Sequence, residues 1–336
     1  TAAPVVLAQQ PAAVREAPAG RVGAVDAIGL TVSDADRSVA FYEILGFEKV
    51  SDVDVSGSAY AQAAGLSGLR ARVVTMSLGA ERIELTEYRA PKGRPAPVDS
   101  RSNDAWFQHV AIITSDIEQA YLWLRQHKVR QVSPAPQRLP DWNPKAGGIT
   151  AFYFRDPDGH PLEILEFPPD KGDARWHRAS DRIFLGIDHT ALVVTDTERS
   201  LRFYRDLLGL RLAGESLNWG PEQERLNDVP GARLRITTLR APKGGPGVEL
   251  LEYLAPRTGR PAPADAAVND LAHWHTTVIA DDPAASAVRL RHARVDFVSA
   301  AAPVVLPDRA LGFGTVFLAR DPDGHVVRVT GPDGSR

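Results

Sequence analysis

Residues 156–160 and 321–325 both read DPDGH, and the position four past the glycine is Glu163 in the first copy and Arg328 in the second. A carboxylate there can hold a cation or take up a proton, whereas a guanidinium can do neither. Asp-Pro-Asp-Gly is a tight-turn sequence, because proline presets φ and glycine supplies positive φ. Asp156, Asp158, Asp321 and Asp323 therefore read as turn formers, and His160 and His325 as structural or exposed. Histidines recur with similar regularity. Four segments open on alternating apolar residues and carry an Asp seven residues after one position, and that position is Ala27, His109, His189 and His275 in turn. His273, beside Trp274, reads as packing or cleft lining. The chain has no cysteine, which removes thiol catalysis, thiolate metal sites and disulfides together.

These residues need strands and turns to position them, and the chain supplies them in a repeating order. Residues 24–50 match 186–212, and Tyr88–Asp99 matches Tyr253–Asp265, all at an offset of roughly 165 residues. The protein is thus a tandem duplication. Each half divides again into two modules that read strand, helix, then further strands. Asp34, Asp116, Asp196 and Asp282 are placed to cap the helices. Phe41/Leu45 and Phe203/Leu207 recur at i,i+4 and mark the buried helix face. The last strands fall at 83–88, 161–167, 248–253 and 326–330. Pro/Gly-rich stretches at 89–98 and 255–263 join the modules within each half. Long loops are expected at 51–70, 133–148 and 214–231, carrying Tyr60, Trp142 and Trp219 that could wall a pocket. The organisation expected is a first domain at 22–167 (modules 22–98 and 105–167), a linker at 168–185, and a second domain at 186–331 (modules 186–265 and 271–331).

The 336 residues are 43% hydrophobic and 24% charged, with a net charge of −3. That composition suits a globular chain with a full core. No basic stripe is present, so nucleic-acid binding is not expected. No apolar run reaches the roughly 20 residues of a membrane span, so no membrane partner is expected either. Residues 1–21 read as an Ala/Pro-rich leader, disordered or the remnant of a secretory signal cleaved after Ala8. The second alternative implies export to the periplasm or beyond, the first a cytoplasmic protein.

The FYxxLG pattern (Phe41, Tyr42, Gly46; Phe203, Tyr204, Gly209), the RDPDGHxxE turn and the paired modules resemble the vicinal-oxygen-chelate (VOC) superfamily. That superfamily includes glyoxalase I, extradiol dioxygenases and bleomycin-resistance proteins. The resemblance covers roughly residues 22–331 and implies an α+β fold of four βαβββ modules forming two glyoxalase/dioxygenase-like domains. It also implies two ligand positions per module, one opening the first strand and one on the last strand. These are Ala27 and Glu84, His109 and Glu163, His189 and Glu249, and His275 and Arg328. Pairing the second module with the third gives one whole set, His109, Glu163, His189 and Glu249. It leaves Ala27, Glu84, His275 and Arg328 as a degenerate set in which Arg328 could pair with Glu84. This crossed pairing is the simpler arrangement, with one whole site and one lost. Glu87, Glu166 and Glu252 lie three residues further on and point to the opposite face.

Two imidazoles and two carboxylates suit one divalent metal ion, Zn, Ni, Co, Mn or Fe. Glu163 or Glu249, partly released, could act as general base. The expectation is a glyoxalase-type lyase or isomerase acting on a small oxygenated substrate. A glutathione adduct is disfavoured, because the positions where such glyoxalases place Arg and Asn are Val193 and Tyr253. The alternative is an extradiol dioxygenase using non-haem Fe(II), on the signature filled by Phe152, Tyr153, Asp156, Pro157, Gly159 and Glu163. There Tyr153 would hydrogen-bond a substrate hydroxyl. A third class is a non-catalytic drug-binding protein. The duplicated fold is compatible with a monomer.

Overall fold

The computed structural model describes residues 20–332; the rest of the expected leader lies outside them. The first module comprises β1 (Val22–Val32), α1 (Ala35–Ile44), β2 (Glu48–Ser56), α2 (Ser58–Ala64), β3 (Arg70–Leu78) and β4 (Glu81–Ala90). The second holds β5 (Gln108–Thr114), α3 (Ile117–Gln126), the two-residue β6 (Arg130–Gln131) and β7 (Gln137–Arg138), β8 (Thr150–Arg155) and β9 (Pro161–Glu166). The third holds β10 (Phe184–Val194), α4 (Thr197–Leu201), β11 (Arg211–Trp219), α5 (Pro221–Asn227), β12 (Arg233–Arg240) and β13 (Gly247–Ala255). The fourth holds β14 (Trp274–Ala280), α6 (Pro283–His292), β15 (Val304–Val305), β16 (Thr315–Arg320) and β17 (Val326–Thr330).

Each sheet takes one module from each half of the chain. One runs β15-β16-β17-β14-β1-β4-β3-β2 and the other β11-β12-β13-β10-β5-β9-β8-β6, with β7 on β8. The first strands join them: β1 pairs antiparallel with β14, and β5 with β10. The second and third modules therefore share a sheet, as the crossed pairing requires.

Alternation along the strands sorts the residues between two environments. Val110, Ile112, Leu162 and Ile164 face the first module's Ile28, Leu30, Phe41 and Leu85 in one core between the sheets. Leu192, Leu250 and Val248 meet Val278, Phe317 and Val329 in the equivalent core of the other half. The helices fill these cores, and the opposite, concave sheet faces are left to form two separate clefts.

The helix caps are as expected. Asp34, Asp116, Asp196 and Asp282 each accept a backbone N–H from the first helical turn. Glu166 and Glu252 reinforce them from the outer sheet face, accepting from Ile117 N at 2.7 Å and Thr197 Oγ1 at 2.8 Å. In the third module Leu208, not Leu207, is the deeply buried helix residue. Between Phe and Gly this module carries one residue more than the first, and a π-helical stretch, Arg202–Leu207, absorbs it by turning the buried face one position on.

The regions 51–70 and 214–231 are not loops. They contain most of β2 and β11 and the helices α2 and α5. Tyr60 belongs to a packed core and hydrogen-bonds Asp308. Trp142 and Trp219 pack on one another with tilted rings 4.1 Å apart, half exposed, outside the cavity lining.

The recurring motifs hold the two sheets together. The Tyr42 hydroxyl donates to Asp156, and that of Tyr204 to Asp321 at 3.1 Å. Asp158 accepts from Ser33 Oγ at 2.7 Å and Asp323 from Thr195 Oγ1 at 2.6 Å. His160 and His325 are buried, and their Nε2 atoms meet the backbone oxygens of Leu271 and Val193, each at 2.8 Å. The Pro/Gly-rich connections also reach across: Arg260 grips Asp104, and Arg94 grips Asp270.

Candidate metal centre

Register brings the two central histidines together. In the antiparallel pair His109 lies opposite Ala191, and Ala111 opposite His189, so both imidazoles stand on the concave face as diagonal neighbours. The flanking parallel strands add one carboxylate each, with Glu163 beside Ala111 and Glu249 beside Ala191.

Nε2 of His109 lies 3.1 Å from Oε2 of Glu163. Nε2 of His189 lies 3.7 Å from the same oxygen and 3.3 Å from Oε2 of Glu249. One ligand atom each from His109, Glu163 and His189 all fall within 4.8 Å of one another. Glu249 reaches the centre through its contact with His189, while its Oε1 accepts from Thr238 at 2.7 Å. Its side chain keeps 18% exposure against 7% for Glu163, so it is the more accessible of the two. Tyr153, opposite Glu163 on β8, places its ring 4.9 Å from that of His109. All five residues line one cavity of about 410 Å³.

The donor set fits a cation. A β-bulge between Ile187 and His189 lets consecutive residues Asp188 and His189 both turn inward. Asp188 Oδ2 lies 3.0 Å from Nδ1 of His189, and Asp188 also accepts two bonds from Arg240 at 2.8 and 2.9 Å and one from Trp176 Nε1 at 3.2 Å. The proton held on Nδ1 leaves Nε2 free to offer a lone pair. Both ring nitrogens of His109 are buried without a hydrogen-bond partner. Carboxylates only accept, so once each imidazole holds a single proton on Nδ1, its Nε2 lone pair converges with them on one point. Burial by itself would lower the His189 pKa, but the charges of Glu249, Asp188 and Glu163 outweigh it and raise the pKa to about 9. Asp188, Arg240 and Thr238 were not singled out from the sequence. The one local signal is the Asp that precedes both His189 and Ala27.

The other sheet carries the degenerate set. Arg328 Nη2 donates to Glu84 Oε2, and Nε2 of His275 lies 3.6 Å from that oxygen. The guanidinium stands over the Phe313 ring at 5.0 Å. Gly29 occupies the place of Ala191, and a Cβ there would lie 2.0 Å from Cε1 of His275. The ring therefore sinks against the strand. Burial would raise the Glu84 pKa, but Arg328 and His275 hold it at about 2. A fixed positive charge occupies the cation's place.

A duplicated module with a paired-strand cleft and this ligand placement defines a known class of protein. The chain belongs to the Glyoxalase/Bleomycin resistance protein/Dioxygenase superfamily, whose model matches residues 24–164 and 186–329. Glyoxalase I from Zea mays is similar in fold over 92% of this chain and 92% of its own, at 18% identity and a TM-score of 0.60. A proposed dioxygenase from Bacillus subtilis is similar over 94% of this chain and 87% of its own, at 14% identity and a TM-score of 0.54. Comparison with curated proteins finds no match.

Proposed function

We propose that the protein is a divalent-metal-dependent enzyme of the glyoxalase type, isomerising or cleaving a small oxygenated substrate that is not a glutathione adduct. The observation that carries this reading is the second carboxylate. Glu249 points at the same centre as Glu163, is anchored by Thr238, and remains accessible from the cavity. A cation held by His109, Glu163, His189 and Glu249 would bind adjacent substrate oxygens and draw electron density from a carbonyl. Glu249 would then take the proton from the hydroxyl-bearing carbon beside that carbonyl and return it to the carbonyl carbon, while the hydroxyl proton passes to the former carbonyl oxygen, a redox-neutral 1,2 shift. Asp188 holds His189 in one tautomer throughout. Val193 and Tyr253 are buried and supply neither the cation nor the amide that a glutathione adduct calls for.

A dioxygenase reading draws on a different observation. His109, Glu163 and His189 form a compact two-histidine, one-carboxylate set with Tyr153 beside it. Elemental analysis and two assays separate the readings. Zinc, nickel or cobalt in the purified protein, with exchange of the carbon-bound proton of dihydroxyacetone into D₂O and its loss in Glu249→Gln, is the expected result. Iron with O₂ uptake on catechols would replace it with the dioxygenase. No metal and no turnover of either probe would leave a binding protein.

A further inference from the structure

Four buried amides form a chain that crosses the cavity wall and ends on Tyr153. Asn143 lies in the segment before β8, Asn218 on β11, and Gln223 and Asn227 one turn apart on α5. All four are at most 5% exposed. An amide can face either way, so the polarity of such a chain depends on what pins its end. Here the far end is pinned. Asn143 Oδ1 accepts the backbone N–H groups of Lys145 and Ala146 at 3.1 and 3.2 Å. Its nitrogen must then donate, and does so to Asn218 Oδ1 at 2.7 Å and to the Leu217 carbonyl at 3.3 Å.

Each later link follows from the one before. Asn218 Nδ2 donates to Gln223 Oε1 at 3.0 Å, Gln223 Nε2 donates to Asn227 Oδ1, and Asn227 Nδ2 reaches the Tyr153 hydroxyl at 3.4 Å. Turning one inner amide over would set like groups against each other at two links, where burial weakens any compensation by solvent. Tyr153 therefore receives a hydrogen bond and keeps its own proton to give, and among the described residues no acceptor takes it. Tyr153 lines the cavity together with His109 and Glu163, its ring 4.9 Å from that of His109.

We infer that this one-way amide chain fixes Tyr153 as a hydrogen-bond donor toward the metal centre, so that the site selects ligands presenting an unprotonated oxygen, a carbonyl or an ionised hydroxyl, beside the chelating pair. The ligand class rests on the metal-site reading above; the polarity of the chain does not. Asn143, Asn218, Gln223 and Asn227 are positioning residues, and Tyr153 is the group that touches the ligand.

The decisive variant is Asn227→Asp. Its carboxylate still accepts from Gln223 but now also accepts from Tyr153, turning the phenol proton away from the cavity. The probe is acetohydroxamate, which presents two acceptor oxygens, titrated calorimetrically into metal-loaded protein. Tyr153→Phe and Asn227→Asp are each expected to weaken it about tenfold, the loss of one hydrogen bond to a charged oxygen, with metal content unchanged. In metal-free protein labelled with [¹³Cζ]tyrosine, the Tyr153 resonance should move in Asn227→Asp. Wild-type affinity and an unmoved resonance in that variant would overturn the inference. Should Asn227→Asp fail to fold, Asn143→Asp keeps both backbone bonds, reverses every link and carries the same two expectations. Wild-type protein that takes up no metal would sink the functional reading instead, while the resonance still reports on the chain.

Discussion

Replacing Arg328 with Met should expose the cost of the lost site. Glu84 is 4% exposed and Arg328 is 7% exposed, so neither charge is relieved by water. Holding the Glu84 pKa at about 2, against an ordinary 4.5, corresponds to about 3 kcal/mol at about 1.4 kcal/mol per pH unit. That agrees with the roughly 3–5 kcal/mol typical of removing one partner from a buried ion pair. The sign with pH follows. A depressed carboxylate pKa adds stability that is present above 4.5 and is lost as pH falls through about 2. With Arg328 gone, burial pushes the Glu84 pKa up, so the gap between wild type and Arg328→Met should be full at pH 8, begin to close as the variant's carboxyl protonates, and be least as pH falls through about 2. His275 adds a second feature. Its pKa is lowered by burial and then by Arg328, so removing the guanidinium lets the imidazole take a proton more readily and soften the loss as pH falls. Urea unfolding midpoints at pH 8, 6 and 4 read this directly. The double variant Glu84→Gln/Arg328→Met leaves no buried charge and should recover most of the deficit. A single variant within about 0.5 kcal/mol of wild type at pH 8, or a double variant no better than the single, would refute the argument.

Three further outcomes are expected. His189→Ala should abolish metal uptake measured by elemental analysis, whereas His275→Ala should leave it intact; equal loss in both would reverse the assignment of the two clefts. Metal affinity should rise roughly tenfold per pH unit between pH 6 and 8, because His189, with its pKa near 9, must shed a proton to bind. Calorimetry in buffers of differing ionisation enthalpy should find about one proton released at pH 7, and none released would contradict it. Asp104→Ala should cost about 2 kcal/mol or more in urea unfolding, since the buried carboxylate accepts the backbone N–H groups of Arg101 and Arg260 and the Arg260 guanidinium. An unchanged midpoint would mean that this clasp contributes nothing to stability.

Much of this protein is readable from order along the chain. The duplicated segments, the capping aspartates and the DPDGH turns are local patterns, and local sterics and hydrogen bonding decide them in the structure as in the sequence. Strand alternation likewise assigns His109, Glu163, His189 and Glu249 to concave faces, because successive side chains on a strand must point to opposite sides. The choice of partner modules was also within reach, since one pairing leaves a whole ligand set and the other leaves two broken ones.

What the chain order could not convey lies across gaps in sequence. Asp188 orients His189 only because a bulge turns two consecutive residues to the same side. The regions 51–70 and 214–231 looked like loops, yet they fold as a strand and a helix because edge pairing with β3 and β12 outweighs their polar composition. The link between Asn143 and Tyr153 passes through residues 218, 223 and 227, which only the tertiary fold brings into line. Hydrogen-bond polarity belongs to a network in space, and no single segment of the sequence contains enough of that network to reveal it.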